Sequence, residues 1–127
     1  MINILLVALG GSFGSVARYL FGVEAGRLLG KTWPYGTLGV NIVGGLLMGM
    51  LAGWLALRGG ADQERWRVLI GVGVLGGFTT FSAFSLETAL MIERRDYAAA
   101  AGYVALSVSL SVGALFAGLL ISRRLFA

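Results

Sequence analysis

Ten consecutive residues, Gly76-Gly77-Phe78-Thr79-Thr80-Phe81-Ser82-Ala83-Phe84-Ser85, combine polar chemistry with a backbone poorly suited to an uninterrupted helix. Four hydroxyls fall within seven positions, and three phenylalanines recur at a spacing of three. The chain contains no His and no Cys, so these hydroxyls have no evident base to make them nucleophiles, and thiol and common zinc chemistry are excluded. Ion solvation is the chemistry left. An aromatic ring has a positive edge, and ring edges with hydroxyl donors can replace the water around a small anion. Carbonyls freed by a broken helix can instead hold a cation. The stretch supports both: side chains for an anion, backbone oxygens for a cation. Paired glycines loosen the backbone, and Thr and Ser divert its hydrogen bonds, so a helix break is expected here.

The other polar candidates lie singly in apolar surroundings. Thr37, Asn41, Gly45, Gly49 and Gly53 recur every four residues, which gives one helix a small or polar face along its length. Asn41 is either packing glue between helices or a donor facing a pore. Tyr103, Ser107 and Ser111 fall at i, i+4 and i+8, aligning a phenol and two hydroxyls in one row. Glu87 is the one acid well inside an apolar stretch, and intramembrane carboxylates are functional candidates by default; the alternative is a hydrated position near the surface. Arg18 either snorkels to the interface or supplies positive potential to an anion entrance.

The elements that must position these residues are membrane helices. Of the 127 residues 57% are hydrophobic and 13% charged, where soluble domains carry about 25% charged residues. Glycine, at 21 residues, far exceeds its usual share of about 7% and lets helices approach closely in lipid. Hydropathy predicts an all-α membrane protein in one four-span domain, with spans at about 2–21, 35–57, 68–92 and 97–121, each long enough to cross a hydrocarbon core of ~30 Å. The third carries the broken stretch. Gly22 to Pro34 reads as a connector, Gly59-Gly60 as a turn, and Glu93 to Asp96 as a tight charged turn.

Basic residues are scattered between apolar segments as membrane flanks, which argues against nucleic-acid binding despite a net charge of +4. Arg58, Arg65, Arg67, Arg123 and Arg124 fall on one side, and Arg18, Arg27, Lys31, Arg94 and Arg95 on the other. That balance removes any preference under the positive-inside rule. Insertion in both orientations, with antiparallel pairing of two copies, is the expectation; a weak bias missed by so coarse a count is the alternative.

Three ordered motifs, Gly10-Gly11-x-x-Gly14-x-x-x-Arg18-Tyr19, Gly36-Thr37-Leu38-x-Val40-Asn41-x-x-Gly44 and Gly76-Gly77-Phe78-Thr79-Thr80-Phe81-Ser82-x-Phe84, resemble those of the Fluc fluoride channels, also called CrcB proteins. The resemblance extends over all four spans, with Ala83 where the family has another small residue or threonine. It implies a dual-topology antiparallel homodimer in the cell's inner membrane, with two pores that pass fluoride passively and no enzymatic activity. Phe81 and Phe84 would form the pore's aromatic box, with Asn41 a polar donor near it, Thr80 and Ser82 hydroxyls beside it, and Tyr103, Ser107 and Ser111 the polar track. A structural Na+ at the dimer centre would be held by backbone oxygens of Gly76 and Thr79. Arg18 matches the first motif, and with Glu87 is assigned to the vestibule or to packing. A small dual-topology multidrug or cation exporter is the alternative, but it needs an acid deep in its first span to couple protons. Ile2 to Phe21 offers only Arg18.

Overall fold

Within lipid, an apolar segment must satisfy its own backbone groups, and helices do so segment by segment. The computed structural model describes residues 1–127 and contains no strands. Helix α1 spans Ile2–Leu29, α2 spans Tyr35–Arg58, and a 3-10 turn at Gly60–Asp62 leads into a composite helix, α3, over 63–78. Helix α4 spans Phe81–Glu93 and α5 spans Tyr97–Phe126. Four stretches are long and apolar enough to cross a membrane: Ile2–Leu29, Tyr35–Arg58, Gly60–Glu93 and Tyr97–Phe126.

Three boundaries differ from the hydropathy reading. Helix α1 runs through the expected connector to Leu29, because the apolar run ends before the helical signals do. An i,i+3 pair between Arg27 and Glu24 (3.0 Å) supports the added turns, and Gly30, at φ +86°, ends them. The helical run leading into the third span starts at Gly60, ahead of the expected start near Val68. The fourth continues past Ile121 to Phe126, where Arg58 donates from Nε to the Phe126 carbonyl at 2.9 Å. The turns fall as expected, with Gly60 at φ +64° and Arg95 at φ +60°. Asp96 then caps α5 by accepting from the Ala99 N–H at 3.4 Å.

Helix α3 is wound mostly as a π-helix, over Arg67–Leu75, between short α-turns at Gln63–Trp66 and Gly76–Phe78. π-Turns are rare and seldom this long. Its Gly73 meets Gly10 of α1, where a Cβ on Gly73 would lie 3.0 Å from the Gly10 Cα; Gly10 and Gly14 press on the carbonyls of Leu69 and Val74. On the other side of the molecule α2 and α5 form the largest helix pair. Gly45 and Gly49 lie against the carbonyls of Ser111 and Leu115, Gly53 against Ser122, and Gly118 against the Leu46 carbonyl. Ser122 donates to the Met50 carbonyl at 2.5 Å across this seam. Only 18 residues are buried, and large apolar side chains such as Leu9, Phe13, Val108 and Phe116 cover the outside. That inversion of the soluble pattern suits lipid.

Candidate functional site

The helical run of the third span stops between α3 and α4, where Thr79 (φ −89°, ψ 162°) and Thr80 (φ −152°, ψ 123°) are extended. Three side chains account for the interruption. Thr79 turns its hydroxyl back to the Leu75 carbonyl at 3.0 Å. Thr80 caps α4 by accepting from the Ala83 N–H at 3.1 Å. Asn41 of α2 clamps the backbone between them: its Oδ1 accepts from the Thr80 N–H at 2.9 Å, and its Nδ2 donates to the Thr80 carbonyl at 3.0 Å. The amide thus acts as a one-residue strand partner. Gly44, one turn further along α2, leaves room for the Thr79 methyl group.

The paired glycines do not form the interruption themselves. Gly76 and Gly77 remain helical, and their role is close approach: a Cβ on Gly77 would lie 2.8 Å from the Gly11 carbonyl oxygen and 3.2 Å from the Ser15 nitrogen. Arg18 lies inward, with Nε donating to the Gly77 carbonyl at 3.0 Å. A guanidinium thereby covers one of the acceptors exposed where α3 stops. No hydrogen bond reaches the carbonyl oxygens of Gly76, Phe78 or Thr79.

Because the backbone straightens at Thr79, the three phenylalanines do not share a face. Phe78 packs edge-on against Phe21 of α1 (6.0 Å, 86°), while Phe81 and Phe84 pair at 5.5 Å. Phe84 meets Tyr103 at 5.2 Å, and Tyr103 meets Trp33 at 5.6 Å. A four-ring row therefore runs from the 30–34 turn to Phe81, which is 78% exposed at its far end. Tyr103 is wholly buried and donates to Glu87 Oε1 at 2.9 Å, while Thr37 donates to Glu87 Oε2 at 3.0 Å. One carboxylate thus joins α2, α4 and α5.

Along α5, the Ser107 and Ser111 hydroxyls are buried and have no hydrogen-bond partner. Buried hydroxyls are seldom left so. The other hydroxyls of the interrupted stretch divide clearly. Thr79 and Ser85 are engaged with the carbonyls of Leu75 and Phe81, whereas Thr80 and Ser82 form an exposed pair at 3.2 Å. A cavity of about 640 Å³ opens at the 30–34 turn and reaches Thr37 and Glu87, with Lys31, Trp33, Arg94 and Asp96 around it. A second, of about 520 Å³, reaches Thr80 past Ser15, Arg18 and Lys31.

Of the residues singled out in the sequence, the fold gathers Asn41, Thr80 and Ser82 at the interruption, and joins Phe81, Phe84, Tyr103 and Glu87 into one aromatic and carboxylate row. Ser107 and Ser111 continue behind Tyr103, and Gly76, Thr79 and Arg18 border the end of α3. Thr37 and Trp33 join the site without being legible as site residues: Thr37 stands out in the sequence only on the polar face one turn before Asn41, and Trp33 only as an aromatic suited to the membrane interface.

Residues 5–119 match the family profile described as CrcB-like protein, Camphor Resistance (CrcB). Over 126 residues the chain is 72% identical to a protein of Caulobacter sp. (strain K31) named fluoride-specific ion channel FluC, covering 99% of this chain and 98% of that one. It is 67% identical over 124 residues to the protein of that name from Phenylobacterium zucineum (strain HLK1), with 98% of each chain covered. With the one from Caulobacter vibrioides (strain NA1000 / CB15N) it shares 65% identity over the full length of both.

Proposed function

Because this chain belongs to the CrcB family and is a multi-pass fluoride channel rather than an enzyme, we propose the route by which fluoride crosses it. Two copies in opposite orientations form a homodimer in the inner membrane, with two pores, and fluoride leaves the cell down its gradient. The observation that carries this reading is the pair of buried hydroxyls without partners, Ser107 and Ser111, in line with Tyr103. In an apolar interior an unpaired hydroxyl is costly, and an anion that accepts from both removes the cost. From that track the anion passes the ring edges of Phe84 and Phe81, while the Thr80 and Ser82 hydroxyls supply donors at the interruption. The Asn41 amide, whose Oδ1 is already held by Thr80, has a second N–H free to join them.

What one chain leaves uncovered supports the dimer reading. Phe81 is largely exposed, and the Gly76 and Thr79 carbonyls are unpaired beside it. A twin related by a two-fold axis at mid-membrane covers both features. Four hard oxygen donors, two from each chain, suit Na+, and the unpaired carbonyls fit that role. Held by the Gly76 and Thr79 carbonyls, the ion would supply positive charge between the two interrupted helices. The exporter alternative is not supported: the acid that the longer α1 brings in, Glu24, is exposed at its end and paired with Arg27.

Liposomes loaded with fluoride and carrying the purified protein should release it, while chloride-loaded controls stay full. Intact vesicles that retain fluoride would remove the reading. Phe81→Ile and Phe84→Ile should each slow efflux by about tenfold or more, the equivalent of ~1.4 kcal/mol of lost anion stabilisation, with the dimer still assembled on size exclusion. Unchanged flux in both would mean the aromatic row is not the path. Replacing Na+ with N-methylglucamine throughout purification should loosen the dimer; a dimer of equal stability would count against the central cation.

A further inference from the structure

Among the cations on its side of the molecule, Lys31 is the one that lines both cavities. Arg27 is paired with Glu24, Arg18 is bound to the Gly77 carbonyl, and Arg94 shares its cavity with Asp96 and Glu87. Lys31 lines both cavities and forms no ion pair or hydrogen bond. Its stem lies over Gly26, with Cε 3.5 Å from where a Cβ would stand, so the bare glycine lets the side chain lie along the end of α1. The 520 Å³ cavity is lined by two charged side chains, Arg18 and Lys31, has no acid on its wall, and ends at Thr80. The larger cavity balances Lys31 and Arg94 against Asp96 and Glu87.

We propose that Lys31 gathers small inorganic anions at the mouth of the path to Thr80, making the cavity without an acid, rather than the balanced one, the preferred approach. The inference rests on the fluoride-channel reading and adds a residue that sets the rate of anion capture. A cation over a cavity with low-dielectric walls raises the local anion concentration and the capture rate, and salt suppresses the effect. Lys31 forms no hydrogen bond or ion pair with the aromatic row or the Asn41 clamp, so its charge alters the rate without rebuilding the path.

The test is fluoride efflux from liposomes at two ionic strengths, ~0.01 M and ~1 M, where the screening length falls from about 30 Å to about 3 Å. Lys31→Gln should slow initial efflux by about threefold at the lower ionic strength and match the parent at the higher, while Lys31→Arg keeps the parent rate at both. Equal rates of the glutamine variant and the parent at low salt would overturn the inference, as would a deficit that persists at high salt. The chain has no cysteine, so Lys31→Cys permits a comparison within one folded preparation. A cationic methanethiosulfonate should restore the rate and an anionic one lower it further; the same response to both overturns the proposal. If the parent itself releases no fluoride, the channel reading fails along with it; if only the Lys31 comparisons fail, the channel reading stands.

Discussion

Asn41→Leu should destabilise the folded protein by about 2–5 kcal/mol and abolish fluoride efflux. The side chain holds both backbone groups of Thr80, accepting from its N–H at 2.9 Å and donating to its carbonyl at 3.0 Å. Leucine fills a similar volume and leaves both groups without partners, each at a cost of about 1–3 kcal/mol when shielded from water, with the top of that range out of reach for this half-buried pair. Winding the Thr80 N–H back to the Gly76 carbonyl satisfies that one group only by giving up the extended backbone at Thr79 and Thr80, which removes the interruption itself. Asn41→Asp separates the two bonds. It keeps an acceptor for the Thr80 N–H, removes the donor to the Thr80 carbonyl, and sets a carboxylate against that oxygen and against the anion path. Its thermal midpoint in detergent should fall between those of the parent and the leucine variant, with efflux lost in both. A leucine variant that melts with the parent would show that the extended pair is held by something other than Asn41.

Gly49→Ala should also destabilise the fold, for a different reason. A Cβ at Gly49 overlaps the Leu115 carbonyl, which is backbone and cannot rotate away, so α2 and α5 must separate along the seam that carries Gly45, Gly53, Gly118 and Ser122. Overpacking of this kind costs about 1–3 kcal/mol, and valine at the same position should prevent folding. The same change at Gly113, where an added Cβ meets nothing within 4 Å, should be neutral or stabilising, since alanine is favoured over glycine in a helix by about 1 kcal/mol. The two alanine variants, compared by thermal aggregation in one detergent, should move in opposite directions. If Gly49→Ala melts no lower than Gly113→Ala, the close approach of α2 and α5 is not what the protein depends on.

Much of the site was legible because its residues contradict their surroundings. Asn41, Glu87 and the Tyr103, Ser107 and Ser111 row are polar groups in apolar helices, and periodicity alone assigns them to faces. The stop in the third span was legible as a composition of glycines and hydroxyls, but its cause was not. Glycine permits a bend without requiring one, and here Gly76 and Gly77 stay helical to admit α1, while two threonines and an amide 39 residues away straighten the chain. Spacing also grouped Phe78 with Phe81 and Phe84. That grouping assumes an unbroken helix, and two extended residues send Phe78 to Phe21 instead.

By itself the sequence determined the class of the protein, its four crossings and the residue types available to an ion, because hydropathy and side-chain chemistry are local properties. It also set the balance of basic residues that makes a two-way dimer reasonable. Tertiary structure decided which hydroxyls are free and which are engaged, that Arg18 turns inward to a carbonyl, that Glu87 links Thr37 to Tyr103, and that Lys31 stands unpaired over two cavities. Each of these depends on a partner from another helix. Partner choice is set by packing distance and by the need to satisfy every buried polar group, and neither can be read along a single strand of residues.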